Sequence, residues 1–174
     1  MNTLVMRVSD MNISLTDYIN DAVRILIILN AAKERKSLKV TEMKVKLYDY
    51  YLKFPYTMLG SAMGSYALEQ NFDEYYAFFH WQPDVIKYRQ SLNYLLAKRL
   101  IGKEFDESNN TIYQISDLGI EALSKIDNDY FRKLNALIAT FLPIVMKISD
   151  SKIEEQIREK TNIFLRSYEV RNEN

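Results

Sequence analysis

Apolar residues recur at helical spacing along most of the chain, and the first such pattern lies at 14–36. Ser14 and Asp17 have the spacing of a capping box, which predicts that a helix begins there. Its predicted apolar face comprises Leu15, Tyr18, Ile19, Ala22, Val23, Leu26 and Leu29. The run ILIIL at 25–29 is apolar on every side, so this helix is expected to lie at the centre of the molecule.

A second helix is predicted at 39–54, directly before Pro55. Its apolar stripe comprises Val40, Met43, Leu47, Tyr50, Tyr51 and Phe54. Asp49 lies off this stripe, with Lys46 three residues before it and Lys53 four residues after it, so an ordinary solvated ion pair is expected. The stretch 56–71 contains two of the four glycines and is interpreted as a loop or a short helix.

Capping signals and a proline mark the next two helices. Asn71 with Glu74 predicts the cap of a short aromatic helix, and Asp73 and Glu74 are expected to stabilise a helix N-terminus through its dipole. Pro83 fits the first turn of the following helix, at 83–100. The predicted apolar face of that helix comprises Val85, Tyr88 or Arg89, Leu92, Leu95, Leu96 and Leu100.

Two short β-prone runs follow around Ser-Asn-Asn and predict a hairpin, because Phe105, Tyr113 and Ile115 alternate. A further helix is predicted over SDLGIEALSKI. The order helix, helix, hairpin, helix is that of a winged helix-turn-helix, with 83–100 as the recognition helix and 103–115 as the wing.

Two C-terminal helices complete the pattern. The apolar positions of the first, at 128–148, are Tyr130, Leu134, Leu137, Phe141, Leu142, Val145 and Ile148. The second begins with a capping box of Ser151 and Glu154 and has Ile153, Ile157, Phe164 and Tyr168 on one face.

The chain is therefore expected to form one mainly α domain over 1–174. The N-terminal helix, the winged helix-turn-helix core and its single β-hairpin wing occupy 14–126. A C-terminal extension of two helices occupies 127–168, and a frayed tail is expected at 169–174.

Composition and charge limit the kinds of binding and catalytic site that the chain can contain. Lys plus Arg equals Asp plus Glu at 23 each, so no overall field attracts nucleic acid or an anionic membrane. Cysteine is absent and His80 is the single histidine, which excludes thiolate and His-His metal sites, and no cofactor motif is present. The start of the chain lacks a signal-peptide pattern, so a cytoplasmic protein is expected. No set of convergent polar groups emerges, and the sequence favours a protein that is not an enzyme.

The predicted recognition helix has a local excess of positive charge. The nucleic-acid contacts, if there are any, are predicted to be Lys87, Arg89, Lys98 and Arg99. The wing that follows carries Glu104, Asp106 and Glu107, where a DNA-binding wing usually offers Lys or Arg. An ordinary solvated helix face explains the same cations.

The aromatic residues before Pro83 are predicted to form a partner interface. Its candidate residues are Tyr75, Tyr76, Phe79 and Trp81. Together with Phe78 they are too closely spaced for all of them to face one core, and Trp and Tyr are frequent interface anchors. Coverage of these residues by the C-terminal helices is the alternative.

These residues together resemble a known family. The stretches that carry the resemblance are AVRILIILNAA, KLYDYYLKFPYTML, FDEYYAFFHWQPDVIKYRQSLNYLLAKRLI, TIYQISDLGIEALSKI and DYFRKL. They resemble the middle component of bacterial ABC-three-component systems, the class that contains the small subunit of Lamassu-type anti-phage operons. The resemblance covers roughly residues 14 to 165 and includes no catalytic signature.

The resemblance implies a non-enzymatic adaptor that links an SMC-like ABC-type ATPase to an effector, often a nuclease. Contact with DNA is expected only weakly or through the complex, no membrane partner is expected, and no small-molecule substrate is evident from the sequence. The alternative is a winged-helix transcriptional regulator that binds DNA itself, with the C-terminal helices forming a dimer.

Overall fold

The computed structural model describes residues 8–35, 38–60, 74, 77 and 85–172, and their side chains from 18 to 161 except at 85. The helices and strands of these residues are α1 (Val8–Lys33), α2 (Glu42–Lys53), α3 (Pro55–Leu59), α4 (Val85–Ala97), β1 (Ile101–Phe105), β2 (Thr111–Ile115), α5 (Asp117–Ser124), α6 (Asp129–Val145) and α7 (Asp150–Asn172). None of the described helices is long and apolar enough to cross a membrane.

The first helix is central, as its apolar run predicts. All five side chains of the run at 25–29 are buried, and α1 packs against α2, α4, α5, α6 and β2. Each such side chain contributes roughly 1.5–3 kcal/mol by leaving water. Two details of the prediction are wrong: the helical backbone begins at Val8 instead of Ser14, and Ile19 is half exposed. A capping-box pattern can occur inside a helix, because it is a local signal only.

The second helix begins later than predicted because the residues before it are extended. Thr41 is its N-cap, and the Thr41 hydroxyl accepts a hydrogen bond from the Lys44 N–H at 3.3 Å. Met43 is 44 % exposed, although its spacing predicts burial. The other five residues of the predicted stripe are buried. Pro55 is the first residue of the next short helix, α3.

The wing is a two-stranded antiparallel hairpin in the described part of the chain. β1 and β2 pair with Ile101 opposite Ile115. Thr41 forms an isolated bridge to Ile112 on the other side of β2. The sequence pattern does not show this bridge before α2. The order of helices followed by a hairpin and a further helix makes the fold mainly α with a winged-helix arrangement.

The predicted recognition helix is α4. Tyr88, Leu92 and Leu95 are buried whereas Arg89 is exposed, so Tyr88 occupies the position left open by the sequence pattern. Residues 54–84 separate α2 from α4, whereas a helix-turn-helix commonly has a turn of about three to four residues. The chain therefore departs from the simple motif at this point.

Two described residues inside that separation dock on the core. The Glu74 carboxylate is buried and accepts hydrogen bonds from the N–H groups of Tyr56 at 2.9 Å and Thr57 at 3.1 Å, at the N-terminus of α3. The Tyr50 hydroxyl donates to the Ala77 carbonyl at 2.5 Å. Glu74 thus accepts from the first N–H groups of a helix that lies earlier in the chain. The predicted aromatic helix and its cap lie outside the described residues and stay a prediction.

Both C-terminal helices pack against α2. α6 packs on α1 and α2, and α7 packs on α2 and α3. Tyr130 was expected on the apolar face of α6 but is half exposed. α7 begins at Asp150, one residue before the predicted cap, and its helical backbone continues to Asn172, into the segment expected to fray.

Candidate functional site

The outward side of α4 is the first candidate surface, named here the α4 face. It comprises Ile86, Arg89, Gln90, Asn93, Tyr94 and Ala97, all exposed and each three or four residues from another member of the set. Ile86 is 71 % exposed. Arg89 is the one charged side chain in this set. The α4 face is thus composed mainly of apolar and amide side chains.

Two of the four predicted nucleic-acid contacts are engaged by carboxylates of the chain itself. Lys87 Nζ lies 3.2 Å from Asp21 Oδ2. Arg89 Nε lies 3.7 Å from Glu42 Oε1, on α2. These carboxylates partly neutralise the two cations, which lowers their attraction to a phosphate backbone.

The other two predicted contacts lie at the C-terminal end of α4. Lys98 Nζ is 5.9 Å from the centre of the Tyr94 ring, a cation–π contact. Arg99 has a positive φ of 58° in the reversal that leads to β1, and its carbonyl accepts a hydrogen bond from the Ser116 hydroxyl at 2.7 Å. Recognition helices mainly read bases through their N-terminal residues, so the structure does not bring the four cations together there.

The wing is acidic at its tip. The Asp106 carboxylate accepts hydrogen bonds from the N–H groups of Ser108 at 3.0 Å and Asn110 at 2.8 Å. These backbone donors, led by Asn110, lower the pKa of Asp106, so it stays ionised. Glu104 accepts a hydrogen bond from the Gln114 amide at 3.0 Å. The wing therefore presents fixed negative charge where a DNA backbone would approach.

A buried ion network lies beneath α4. It comprises Asp21 and Arg24 from α1, Asp49 and Lys53 from α2, and Lys87 and Tyr88 from α4. Arg24 Nε lies 2.5 Å from Asp49 Oδ1, and Lys53 Nζ lies 3.1 Å from Asp49 Oδ2. The Tyr88 hydroxyl also donates to Asp49. The network joins three helices, and α4 is held to the other two through it.

Asp49 is the centre of this network, and the prediction of a solvated ion pair is wrong. Its side chain is 0 % exposed. Burial alone would raise the pKa of Asp49, but the charges of Arg24 and Lys53 outweigh that effect and the pKa is lowered. The sequence correctly indicates the contact with Lys53 four residues later, whereas Arg24 is distant in sequence and invisible to helical spacing.

A different sequence signal could have revealed the network. Asp21 and Arg24 are charged residues within or beside the apolar run of a helix expected to be central. A charge in such a position is almost always paired, because an unpaired buried charge is very unfavourable. The pattern therefore predicts that both charges are paired, and the structure pairs Arg24 with Asp21 on its own helix and with Asp49 on α2.

Both carboxylates of the network are paired with cations of the chain. Among the residues that the structure describes, no group of His, Cys, Asp and Glu could hold a metal ion. A surface cavity of about 380 Å³ lies elsewhere, on the first turns of α7, and its lining residues are Ser151, Lys152, Glu154, Glu155 and Arg158.

The predicted aromatic interface lies outside the described residues. This applies to Tyr75, Tyr76, Phe79 and Trp81, and also to His80. Their proposed role as a partner surface stays a prediction.

Comparison with known proteins finds no match for this chain among protein-family models, curated proteins or solved structures.

Proposed function

We propose that the chain is a non-enzymatic adaptor subunit that links an SMC-like ATPase to an effector, possibly a nuclease, in a bacterial anti-phage complex. The resemblance of its aromatic and apolar pattern to the middle component of ABC-three-component systems supplies these partner classes. The winged-helix arrangement is compatible with this role, since the same fold is also used for contact with other proteins.

The observation that carries the proposal is the composition of the α4 face beside the acidic wing. A DNA-binding winged helix needs Lys and Arg to fix it on the phosphate backbone. Gln90 and Asn93 are side chains able to read base edges, but the α4 face adds one cation, Arg89, which is paired with Glu42. Apolar and amide side chains on a rigid helix suit a protein partner better.

A charge-insertion experiment tests the proposal. We expect Gln90→Glu combined with Asn93→Glu to keep the fold, since both side chains are exposed, and to lose the partner proteins during co-purification with the products of the flanking genes. A buried unpaired charge in an interface opposes binding strongly. Ser151→Glu, an exposed position on α7, is the matched control and should retain the partners.

The regulator alternative makes the opposite prediction. It requires salt-sensitive DNA binding by the purified protein, weakened by Lys98→Glu with Arg99→Glu. Partner recovery that is unchanged by the α4 variant, together with such DNA binding, would contradict the adaptor proposal.

A further inference from the structure

The outer edge of β1 is a separate feature of the wing. In the described part of the sheet, β2 has β1 on one side and Thr41 on the other, so β1 is an edge strand there. Four of the five residues of β1 are exposed, whereas two residues of β2 are buried. An edge strand of this kind is a template for a further strand.

The hydrogen bonds at both ends of the hairpin fix the orientation of the β1 backbone. The Ser116 N–H donates to the Leu100 carbonyl at 3.0 Å, and the Asp106 N–H donates to the Asn110 carbonyl at 3.0 Å. Hydrogen-bonded and non-hydrogen-bonded pairs alternate along an antiparallel ladder. Because the two bonds involve positions 100 and 106, the even-numbered residues of β1 point their backbone groups toward β2.

The odd-numbered residues of β1 therefore point their N–H and C=O groups outward. These residues include Lys103 and Phe105. The same alternation on β2 explains why the Tyr113 N–H donates to the Val40 carbonyl on the opposite side, at 2.9 Å. Phe105 is 64 % exposed, so an apolar side chain stands beside the outward backbone groups.

Charge decides what kind of segment fits this edge. Between 101 and 115 the hairpin carries one cation, Lys103, and three carboxylates, Glu104, Asp106 and Glu107, so its net charge is one minus three, or −2. Asp106 is held ionised by the turn. A basic segment is attracted to this edge, whereas an acidic segment and a phosphate backbone are repelled.

A second copy of the chain fits the edge poorly. The register that pairs two antiparallel β1 strands over all five residues is centred on Lys103 and places Lys103 opposite Lys103. A register centred one residue closer to the turn places Glu104 opposite Glu104. Like charges directly opposite each other are destabilising, so the sequence of β1 disfavours its own pairing.

We propose that the outer edge of β1 binds an extended basic segment of a partner protein by strand addition, an inference that rests on the proposed adaptor function. The backbone groups of Lys103 and Phe105 supply the main-chain hydrogen bonds. The Phe105 ring packs on an apolar side chain of the added strand. Lys or Arg opposite Glu104 and near Glu107 provides the electrostatic match.

A peptide titration tests this edge directly. The probe is a fluorescently labelled short peptide of alternating Arg and Val, and its matched control alternates Glu and Val. The Arg peptide should bind the full chain at low salt and weaken as salt rises, because exposed charge pairs are screened. The Glu peptide should not bind. Binding of both peptides or of neither would overturn the proposal.

Lys103→Pro isolates the backbone contribution. The proline removes an outward N–H and none of the bonds to β2, and proline is tolerated on edge strands in this orientation. The affinity of the Lys103→Pro variant for the Arg peptide should be about tenfold lower than that of the wild type, as expected for the loss of roughly one hydrogen bond. Lys103→Ala keeps the N–H and should bind at least as tightly as the wild type.

A second variant covers the case in which Lys103→Pro does not fold. Phe105→Ser keeps every backbone group and removes the exposed ring, so it should bind the Arg peptide more weakly while it retains the wild-type circular dichroism spectrum. Unchanged affinity in a folded Phe105→Ser or Lys103→Pro variant would overturn the proposal. A dimer that Lys103→Pro abolishes would also overturn it, because the edge would then bind a second copy.

Co-purification separates this inference from the adaptor proposal. If the wild type recovers partners and Lys103→Pro loses them while Lys103→Ala retains them, the edge inference is supported. If Lys103→Pro retains them, the adaptor proposal stands and the edge inference fails. If the wild type recovers none, the adaptor proposal fails, and the peptide titration still decides whether the edge binds a basic strand.

Discussion

At the scale of single residues, Asp49 is the carboxylate that joins all three helices of the buried network. It is fully buried and contacts Arg24, Lys53 and Tyr88. Replacing a buried ion pair by apolar residues is often neutral, whereas removing one member leaves the other charge buried without its partner. The network thus fixes how three helices meet, although its net contribution to stability is small.

Asp49→Asn tests this account of the network. The variant keeps the shape of the side chain but removes the carboxylate that Arg24, Lys53 and Tyr88 share and leaves Asp21 as the remaining partner of Arg24. The free energy of unfolding should therefore fall by up to about 3–5 kcal/mol. Urea denaturation followed by circular dichroism measures the change. Glu121→Gln breaks the exposed pair with Lys125 and is the control; its midpoint should not move. Equal midpoints for both variants would show that the network is not needed.

Acid titration gives a second test at Asp49. Its pKa in the folded chain lies below the ordinary value of 3.8, so its contribution to stability is present above that value and is lost as the pH falls through the folded pKa. Asp49→Asn has no such proton to bind. The difference in unfolding free energy between wild type and variant should therefore shrink as the pH falls from about 6 toward 2. A difference that stays constant would contradict the lowered pKa.

Trp81→Ala tests the predicted aromatic interface. If Trp81 is an interface anchor, the variant should keep the wild-type melting temperature and lose its partners during co-purification, because hot-spot aromatics carry much of the binding energy. Phe105→Ser, which removes the exposed ring of the wing, is compared with Trp81→Ala in both measurements. An unfolded Trp81→Ala variant would instead place Trp81 in the core.

At the scale of elements, the contact between α5 and the base of the wing requires a glycine. A Cβ atom at Gly119 would lie 2.2 Å from the Leu100 carbonyl oxygen and 2.8 Å from Ile115 Cγ1. The same carbonyl oxygen accepts the Ser116 N–H, which connects the hairpin to the start of α5. The absence of a side chain at this position therefore lets α5 and the wing approach closely.

Gly119→Ala should destabilise the chain, because the backbone at Leu100 must shift to accept the new methyl group. We expect a loss of about 1–3 kcal/mol, the range for overpacking a tight contact. Gly102→Ala is the control, since a Cβ there meets nothing within 4 Å; it should be neutral. A thermal melt of the two variants measures the difference. Equal effects would show that α5 and the wing do not meet as described.

The elements themselves were largely predictable, and the errors have local causes. Helical spacing correctly indicates α1, α2, α4, α6 and α7, and alternation indicates the hairpin. The bridge between Thr41 and Ile112 is not predictable in this way, because a single bridge leaves no periodic pattern. The observed start of α1 differs from the predicted one because a capping signal acts over one turn only. The observed start of α2 differs because the backbone before it pairs with β2.

At the scale of the whole molecule, the sequence predicts the fold better than the site. Apolar spacing specifies which faces are buried, and the winged-helix order follows from it. The candidate surfaces depend on contacts between distant residues, such as Lys87 with Asp21 and Arg89 with Glu42. These contacts weaken the predicted basic face as a site for nucleic acid, because two of its cations are paired with carboxylates of the chain.

The α4 face and the outer edge of β1 are connected through the fold. The buried ion network holds α4 on α1 and α2, and the hairpin follows directly from the end of α4. The α4 face and the edge of β1 are therefore parts of one framework that can present both surfaces to partners at once. The proposed adaptor would use both surfaces.

The most direct test of the central claim is affinity purification of the tagged chain expressed with its flanking genes, followed by size-exclusion chromatography at low and moderate salt. The account predicts a stoichiometric complex with a large ATPase that survives moderate salt. A lone homodimer that shifts DNA at low salt and releases it at moderate salt would contradict the adaptor and support the DNA-binding regulator.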